Sequence, residues 1–186
     1  MQFLNNKKCI QAVLFLFLLL AISFSYIARA KAGTRYPMAP NFSLKVINPK
    51  LSGYKNFTLS SFRGHIVIIN FWATYNPFKS DIATFERFYK SELPNKIIVV
   101  GINVNQSRQR RQIVRSFVKN QHITYPIVFD GYGRTKGWIE NDYNVNETPQ
   151  TFFISKNGHV VFRWVGSISA VNLYQIINKM LLGLSM

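Results

Sequence analysis

Residues 65–79 read His65-Ile66-Val67-Ile68-Ile69-Asn70-Phe71-Trp72-Ala73-Thr74-Tyr75-Asn76-Pro77-Phe78-Lys79. The first seven form an apolar run rich in β-branched residues, which predicts a strand buried on both faces. Asn is among the best helix N-caps and Pro is favoured at the next position, so Asn76-Pro77 predicts a helix start. The helix is expected over residues 77–92, with Phe78, Ile82, Phe85 and Tyr89 along one face. A buried strand leading directly into a helix is the beginning of a parallel βαβ unit.

Working outward, the alternation continues. Residues 96–104 predict a second buried strand, and residues 107–121 a second helix with Ile113, Val114, Phe117 and Val118 turned inward. A third strand is expected over 125–129 and a short helix over 133–143. Upstream, 42–47 and 56–59 are strand-like and separated by Pro49 and Gly53, which suits a hairpin. Downstream, 150–154 and 159–165 form a hairpin around Lys156-Asn157-Gly158. Residues 169–182 close the chain as an amphipathic helix carrying Val171, Tyr174, Ile177 and Leu181. The order predicts one α/β domain: a central mixed sheet with helices on both faces and an N-terminal β-hairpin.

Composition agrees with a single globular domain. Of 186 residues, 48% are hydrophobic and 15% aromatic, far more than a disordered chain carries. Basic residues outnumber acidic ones 23 to 7, a net charge of +16. That excess favours an anionic partner: lipid headgroups, nucleic acid, cell-wall polymers or an acidic protein. No helix-turn-helix, zinc-finger spacing or RNA-binding aromatic motif is present, which argues against nucleic acid. The one cysteine is Cys9. An intrachain disulfide, a Cys-rich zinc site and a two-cysteine redox cycle are thereby excluded.

Cys9 lies in a segment with the marks of a targeting sequence. Lys7 and Lys8 precede an apolar run over residues 10–27, broken only by Gln11, Ser23 and Ser25. Ala28-Arg29-Ala30 and Ala30-Lys31-Ala32 follow, both small-x-small patterns suited to a signal peptidase. The run is long for a signal peptide and near the lower limit for a membrane span, so signal peptide and N-terminal membrane anchor both remain open. In either case the remainder is expected to be exported, periplasmic or anchored to the cytoplasmic membrane facing outward. Only Lys7, Lys8 and Arg29 of the basic residues lie before Ala30, so the charge excess belongs to the exported part. The expected organisation is a targeting segment at 1–32, a linker at 33–40 and a domain at 41–186.

The stretch from Trp72 to Lys79 resembles the W-A-T-W-C-P-P-C active site of exported thioredoxin-fold thiol–disulfide oxidoreductases, the TlpA/ResA-like (redoxin) group. Three further segments carry the resemblance in the same order. Ala39-Pro40-Asn41-Phe42 is similar to the family's opening motif, and Leu59-Ser60-Ser61-Phe62-Arg63-Gly64 to its segment before the central strand. Thr148-Pro149-Gln150-Thr151-Phe152-Phe153-Ile154 is similar to its cis-proline loop and strand. The resemblance implies a thioredoxin-like fold and a role in envelope redox or cytochrome c maturation.

The chemistry departs from the family. Asn76 and Lys79 stand where it has two cysteines. Thiol–disulfide exchange needs a thiolate nucleophile and a second thiol to resolve the mixed disulfide. Asn and Lys supply neither, and peroxide reduction on this fold also begins with a thiolate. Asn76 is explained by helix capping. Lys79 opposes the helix dipole and reads as an exposed residue of a vestigial site; a catalytic lysine would need a base or carbonyl pocket that the sequence does not show.

The resemblance leaves a binding surface. In the family the residue before the cis-proline pairs by its backbone with an extended substrate segment; here that residue is Thr148, before Pro149. Trp72, Tyr75 and Phe78 are candidates for an apolar lip beside it, with core burial the competing reading and favoured for Trp72. Arg108, Arg111, Arg115 and Lys119 fall on one stripe of the second helix, and Arg108, Arg110 and Arg111 crowd its start. Parallel strands place that start on the same sheet edge as Asn76 and Lys79, so Arg108, Arg110, Arg111 and Arg115 are candidates for anion binding. His65, His122 and His159 lack metal-ligand spacing, and neither metal nor cofactor is expected. The expected function is a redox-inactive protein that binds an extended polypeptide or an envelope assembly protein, with an anionic membrane surface as a further partner. The alternative is an enzyme acting with a partner's thiols or through Lys79.

Overall fold

The computed structural model describes residues 36–75, 80–91, 97–105, 110–130, 138–184 and 186. The expected targeting segment at 1–32 lies outside them, as do Asn76, Pro77, Phe78, Lys79 and Arg108. In chain order the described elements are β1 (Ser43–Lys45), α1 (Pro49–Ser52), β2 (Asn56–Thr58), a 3-10 turn (Leu59–Phe62), β3 (Ile66–Trp72), α2 (Ser80–Lys90) and β4 (Ile97–Asn103). They continue with α3 (Arg110–Asn120), β5 (Ile127–Phe129), α4 (Trp138–Asp142), β6 (Gln150–Ile154), β7 (Val160–Val165) and α5 (Ala170–Leu182).

The five-stranded sheet has the order β5-β4-β3-β6-β7. β3, β4 and β5 are parallel, and β6 and β7 join antiparallel. The expected strands are all present, and β3 and β4 are buried at every position. The crossovers from β3 to β4 and from β4 to β5 step the same way along the sheet. Right-handed connections therefore put α2 and α3 on one face. There Ile82, Phe85 and Phe88 of α2, Val114 and Val118 of α3, and Leu173, Ile176 and Ile177 of α5 pack on Ile68, Val99, Ile127 and Phe153. The opposite face, with Val67, Ile69, Phe71, Val100 and Ile102, is covered by Phe42, Phe57 and Leu59 and by Ile139 and Tyr143 around α4.

The N-terminal pair is more than a hairpin. β1 and β2 pair antiparallel with Leu44 opposite Phe57, but the one-turn α1 lies between them, with Pro49 in its first turn. Asn48 does not cap α1 with its side chain. Its Nδ2 instead donates to the carbonyls of Ile123 (3.1 Å) and Tyr125 (2.9 Å), while its Oδ1 accepts from Ile127 N (3.0 Å). Ile47 N donates to Ile127 O, and Val46 bridges Val128. This segment covers the outer edge of β5, where an open ladder would invite another strand.

Three helix faces differ from expectation. Ile113 is 42% exposed, and Val114 and Val118 carry the buried face of α3. In α5, Val171 and Tyr174 are exposed while Leu173, Ile176 and Ile177 are buried. Tyr89 is only half-buried, and Phe88 takes the core position beside Phe85.

Candidate functional site

The carboxyl ends of β3 and β4 meet in a network of side-chain amides. Asn103 Nδ2 donates to Trp72 O (3.3 Å) and to Asn105 Oδ1 (3.1 Å), while Asn105 N donates to Asn103 Oδ1 (3.1 Å). Thr74 N donates to Asn105 Oδ1 (2.9 Å), and Asn105 Nδ2 donates to Thr74 Oγ1 (2.5 Å). Val104 N adds a bond to Trp72 O (3.0 Å). The turn that leaves β3 is therefore held to the end of β4 as far as Thr74.

Trp72 is 2% exposed and belongs to the core, so it does not form the lip. Its ring lies 5.4 Å from that of Phe117 and crosses β4 at Gly101, where an added Cβ would sit 2.9 Å from Trp72 Nε1 and 2.6 Å from Ile127 Cδ1. Tyr75, two residues beyond Ala73, is 72% exposed. Of the three aromatics considered for the lip, it is the one the structure places at the surface; Phe78 lies outside the described residues.

Antiparallel register sets Phe71 opposite Gln150, so Thr148 and Pro149 stand beside the strand end from which Trp72 to Tyr75 emerge. The Thr148–Pro149 bond is cis. Pro149 is buried and Thr148 half-buried. Pro149 O accepts from Gly166 N (2.9 Å), joining this loop to the segment between β7 and α5. The same segment is tied to α2: the buried carboxylate of Asp81 accepts from Ser167 Oγ and from Ile168 N (3.2 Å to each oxygen). Gln150 is fully buried, and its Oε1 accepts from Arg163 Nη2 (2.8 Å). Three loops thus converge on one sheet edge: Trp72–Tyr75, Thr148–Gln150 and Gly166–Ile168.

The basic stripe of α3 lines a second feature. Arg111, Arg115 and Lys119 are exposed on α3. Arg111 and Arg115 line a cleft of about 120 Å³ with Leu44, Lys45, Val46, Ile47 and Phe129. That cleft lies at β5, on the opposite side of β3 from the Thr148–Pro149 loop. Arg110 opens α3, and Arg108 is outside the described residues. Among the described residues, no group of three His, Cys, Asp or Glu is placed to hold a metal ion.

A mixed five-stranded sheet in this order, with a cis-proline loop facing the β3 carboxyl end, defines a thioredoxin-like domain. The chain belongs to the AhpC/TSA family, whose profile matches residues 37–163. It is similar to the thioredoxin-like protein YneN of Bacillus subtilis, 33% identical over 138 residues, which are 74% of this chain and 75% of that protein. The thiol–disulfide oxidoreductase ResA of the same organism is 29% identical over 141 residues, 75% of this chain and 72% of that protein. Among solved structures, a thiol:disulfide interchange protein of Chlorobium tepidum superposes with a TM-score of 0.66 at 26% identity, over 80% of this chain and 98% of that one. Within this group of thiol–disulfide oxidoreductases, the present chain has lost the active-site cysteine pair: its one cysteine is Cys9.

Sequence reasoning located the motif but missed its supports. Asn103, Asn105, Asp81 and Ser167 all act across long separations in the chain. Polar residues at the ends of apolar strands, such as Asn103 and Asn105 after residues 97–102, were the available signal, because a buried amide needs partners nearby.

Proposed function

We propose that this protein is a thioredoxin-fold binding protein without thiol chemistry, which holds an extended polypeptide at the surface formed by Tyr75 and the Thr148–Pro149 loop. The observation that carries the reading is the absence of any cysteine from residues 36–186, in a chain whose relatives include thiol–disulfide oxidoreductases. A thiolate is required both to attack a disulfide and to resolve the mixed disulfide, whereas the scaffold around the site needs no sulfur. Its loops are joined by the Thr74–Asn105 and Asp81–Ser167 bonds and by the Pro149–Gly166 bond. Backbone pairing along a strand end with one exposed aromatic supplies affinity for a chain segment with little demand on its sequence.

The proposed setting is the cell envelope, with the N-terminal segment serving as signal or anchor and the domain facing outward. Envelope redox or cytochrome c maturation is the process in which such a holder would act. Among the described residues no helix is long and apolar enough to cross a membrane.

The test is binding of a fluorescein-labelled, reduced and carboxymethylated unfolded protein to the full chain in neutral detergent, read by anisotropy. Saturable binding, weakened at least fivefold by Tyr75→Ser, is the expected result. Absence of binding, or binding unchanged in Tyr75→Ser, contradicts the proposed surface.

A further inference from the structure

We propose that the cleft between β1, β5 and α3 is a phosphate-binding site, built for a phosphate group carried on an apolar or glycerol stem. Lys45 lines it from β1, and Arg111 and Arg115 line it from α3, one helical turn apart. Leu44, Val46, Ile47 and Phe129 supply the apolar part. No carboxylate is among the lining residues, and the sequence accounts for this. The chain has no Asp or Glu from Met1 to Ser80, and none between Glu92 and Asp130. Both walls of the cleft come from these acid-free stretches.

The acids that do occur are largely turned inward. Asp81, Glu86, Asp130 and Glu140 are buried. Asp81 holds Ser167 and Ile168; Glu86 accepts from Thr124 N (2.8 Å) and Thr124 Oγ1 (2.7 Å) and pairs with Lys90. Asp130 accepts from the amides of Ile139 (3.1 Å) and Glu140 (2.7 Å). Carboxylates held in the interior leave an excess of positive charge on the surface of the described residues, and a concave cleft concentrates it. Three cations lining one small cleft suit a phosphate ester better than a carboxylate, because its tetrahedral non-bridging oxygens point apart and can each take a donor, and Arg can bind two oxygens at once. The apolar residues give the ester stem a dry surface, which inorganic phosphate would not use.

This site is independent of the polypeptide surface, and its test uses soluble and membrane-borne phosphate. The full chain in neutral detergent is titrated with glycerol 1-phosphate, with inorganic phosphate and with hexaglutamate. Hydrogen exchange of residues 110–120 is then compared in nanodiscs of phosphatidylcholine alone and with phosphatidylglycerol. Saturable binding of glycerol 1-phosphate, tighter than either other probe, is expected. Arg111→Gln and Arg115→Gln should each weaken it about tenfold, the scale of one lost charge-assisted hydrogen bond, and Arg115→Lys less. Lys50→Gln removes an exposed charge that does not line the cleft and should change binding less than twofold. Protection of 110–120 that appears only with phosphatidylglycerol assigns the site to a lipid headgroup. Soluble binding without that protection assigns it to a free phosphoester. Equal losses in Lys50→Gln and Arg111→Gln, hexaglutamate binding as tightly as glycerol 1-phosphate, or no saturable binding would overturn the proposal.

Discussion

Asn105, just past the end of β4, grips Thr74, just past the end of β3, with two hydrogen bonds running in opposite directions: Thr74 N to Asn105 Oδ1 at 2.9 Å and Asn105 Nδ2 to Thr74 Oγ1 at 2.5 Å. The pair ties the turn that leaves β3 to the end of β4, just before the Asn76–Lys79 motif.

Removing Asn105 leaves the Thr74 amide and the buried Asn103 Nδ2 short of an acceptor. Asn105→Ala is therefore expected to cost about 1–3 kcal/mol, measured by urea unfolding of the full chain in detergent. Thr74→Ala should cost less, since the backbone bond survives. The double variant should fall short of the sum by more than about 0.5 kcal/mol, as neighbours sharing one network do. Strict additivity would contradict the coupling.

Gly101 is needed for close approach rather than for backbone freedom. A Cβ there would meet Ile127 Cδ1 at 2.6 Å and Trp72 Nε1 at 2.9 Å. Gly101→Ala is expected to destabilise by about 1–3 kcal/mol through overpacking. It should also change the emission of Trp72, which a remote variant would not do.

The strands and their order were legible because residues 66–72 and 97–103 are continuous apolar runs, which only a sheet covered on both faces accommodates. The helix faces were less so. In α5 the apolar residues Val171, Leu173, Tyr174, Ile176, Ile177, Leu181 and Leu182 surround most of the helix, so two phases of the 3.6-residue period fit and share Ile177. The buried phase is Leu173, Ile176 and Ile177, the one that faces Phe153. Asn48-Pro49 carries the same cap-and-proline signature as Asn76-Pro77, yet the two short strands around it masked α1. At the site, the Thr148–Pro149 loop followed from motif order. Asp81 with Ser167 did not, because 86 residues separate them and no local pattern links them.

The tyrosines set an alkaline limit. Burial pushes the Tyr125 hydroxyl well above the ordinary tyrosine value of about 10, with Glu86 and Asp81 adding to the rise. Burial likewise raises Tyr143, against the opposing pull of Arg63, and raises Tyr89. A raised folded-state value means the native protein holds the proton more tightly than the unfolded chain. The contribution is complete below about pH 10 and is lost as pH climbs beyond it. The denaturation midpoint should fall from about pH 10 upward, and Tyr125→Phe should make that fall shallower. Among the described residues the buried Tyr125 hydroxyl has no hydrogen-bond partner, so Tyr125→Phe should also stabilise by about 1 kcal/mol at neutral pH. A destabilised variant with an unchanged pH profile would contradict this account.

The central claim is that this is a thiol–disulfide oxidoreductase scaffold whose chemistry has been removed with its two cysteines. The direct measurement is insulin-disulfide reduction by the full chain carrying Cys9→Ser, beside the same chain carrying Asn76→Cys and Lys79→Cys as well. The first protein should show no turnover above the reductant alone. The second should form a reversible disulfide under mild oxidant and reduce insulin at least weakly, because a helix start favours the attacking thiolate. Turnover by the Cys9→Ser protein, or installed cysteines that stay reduced, would contradict the account.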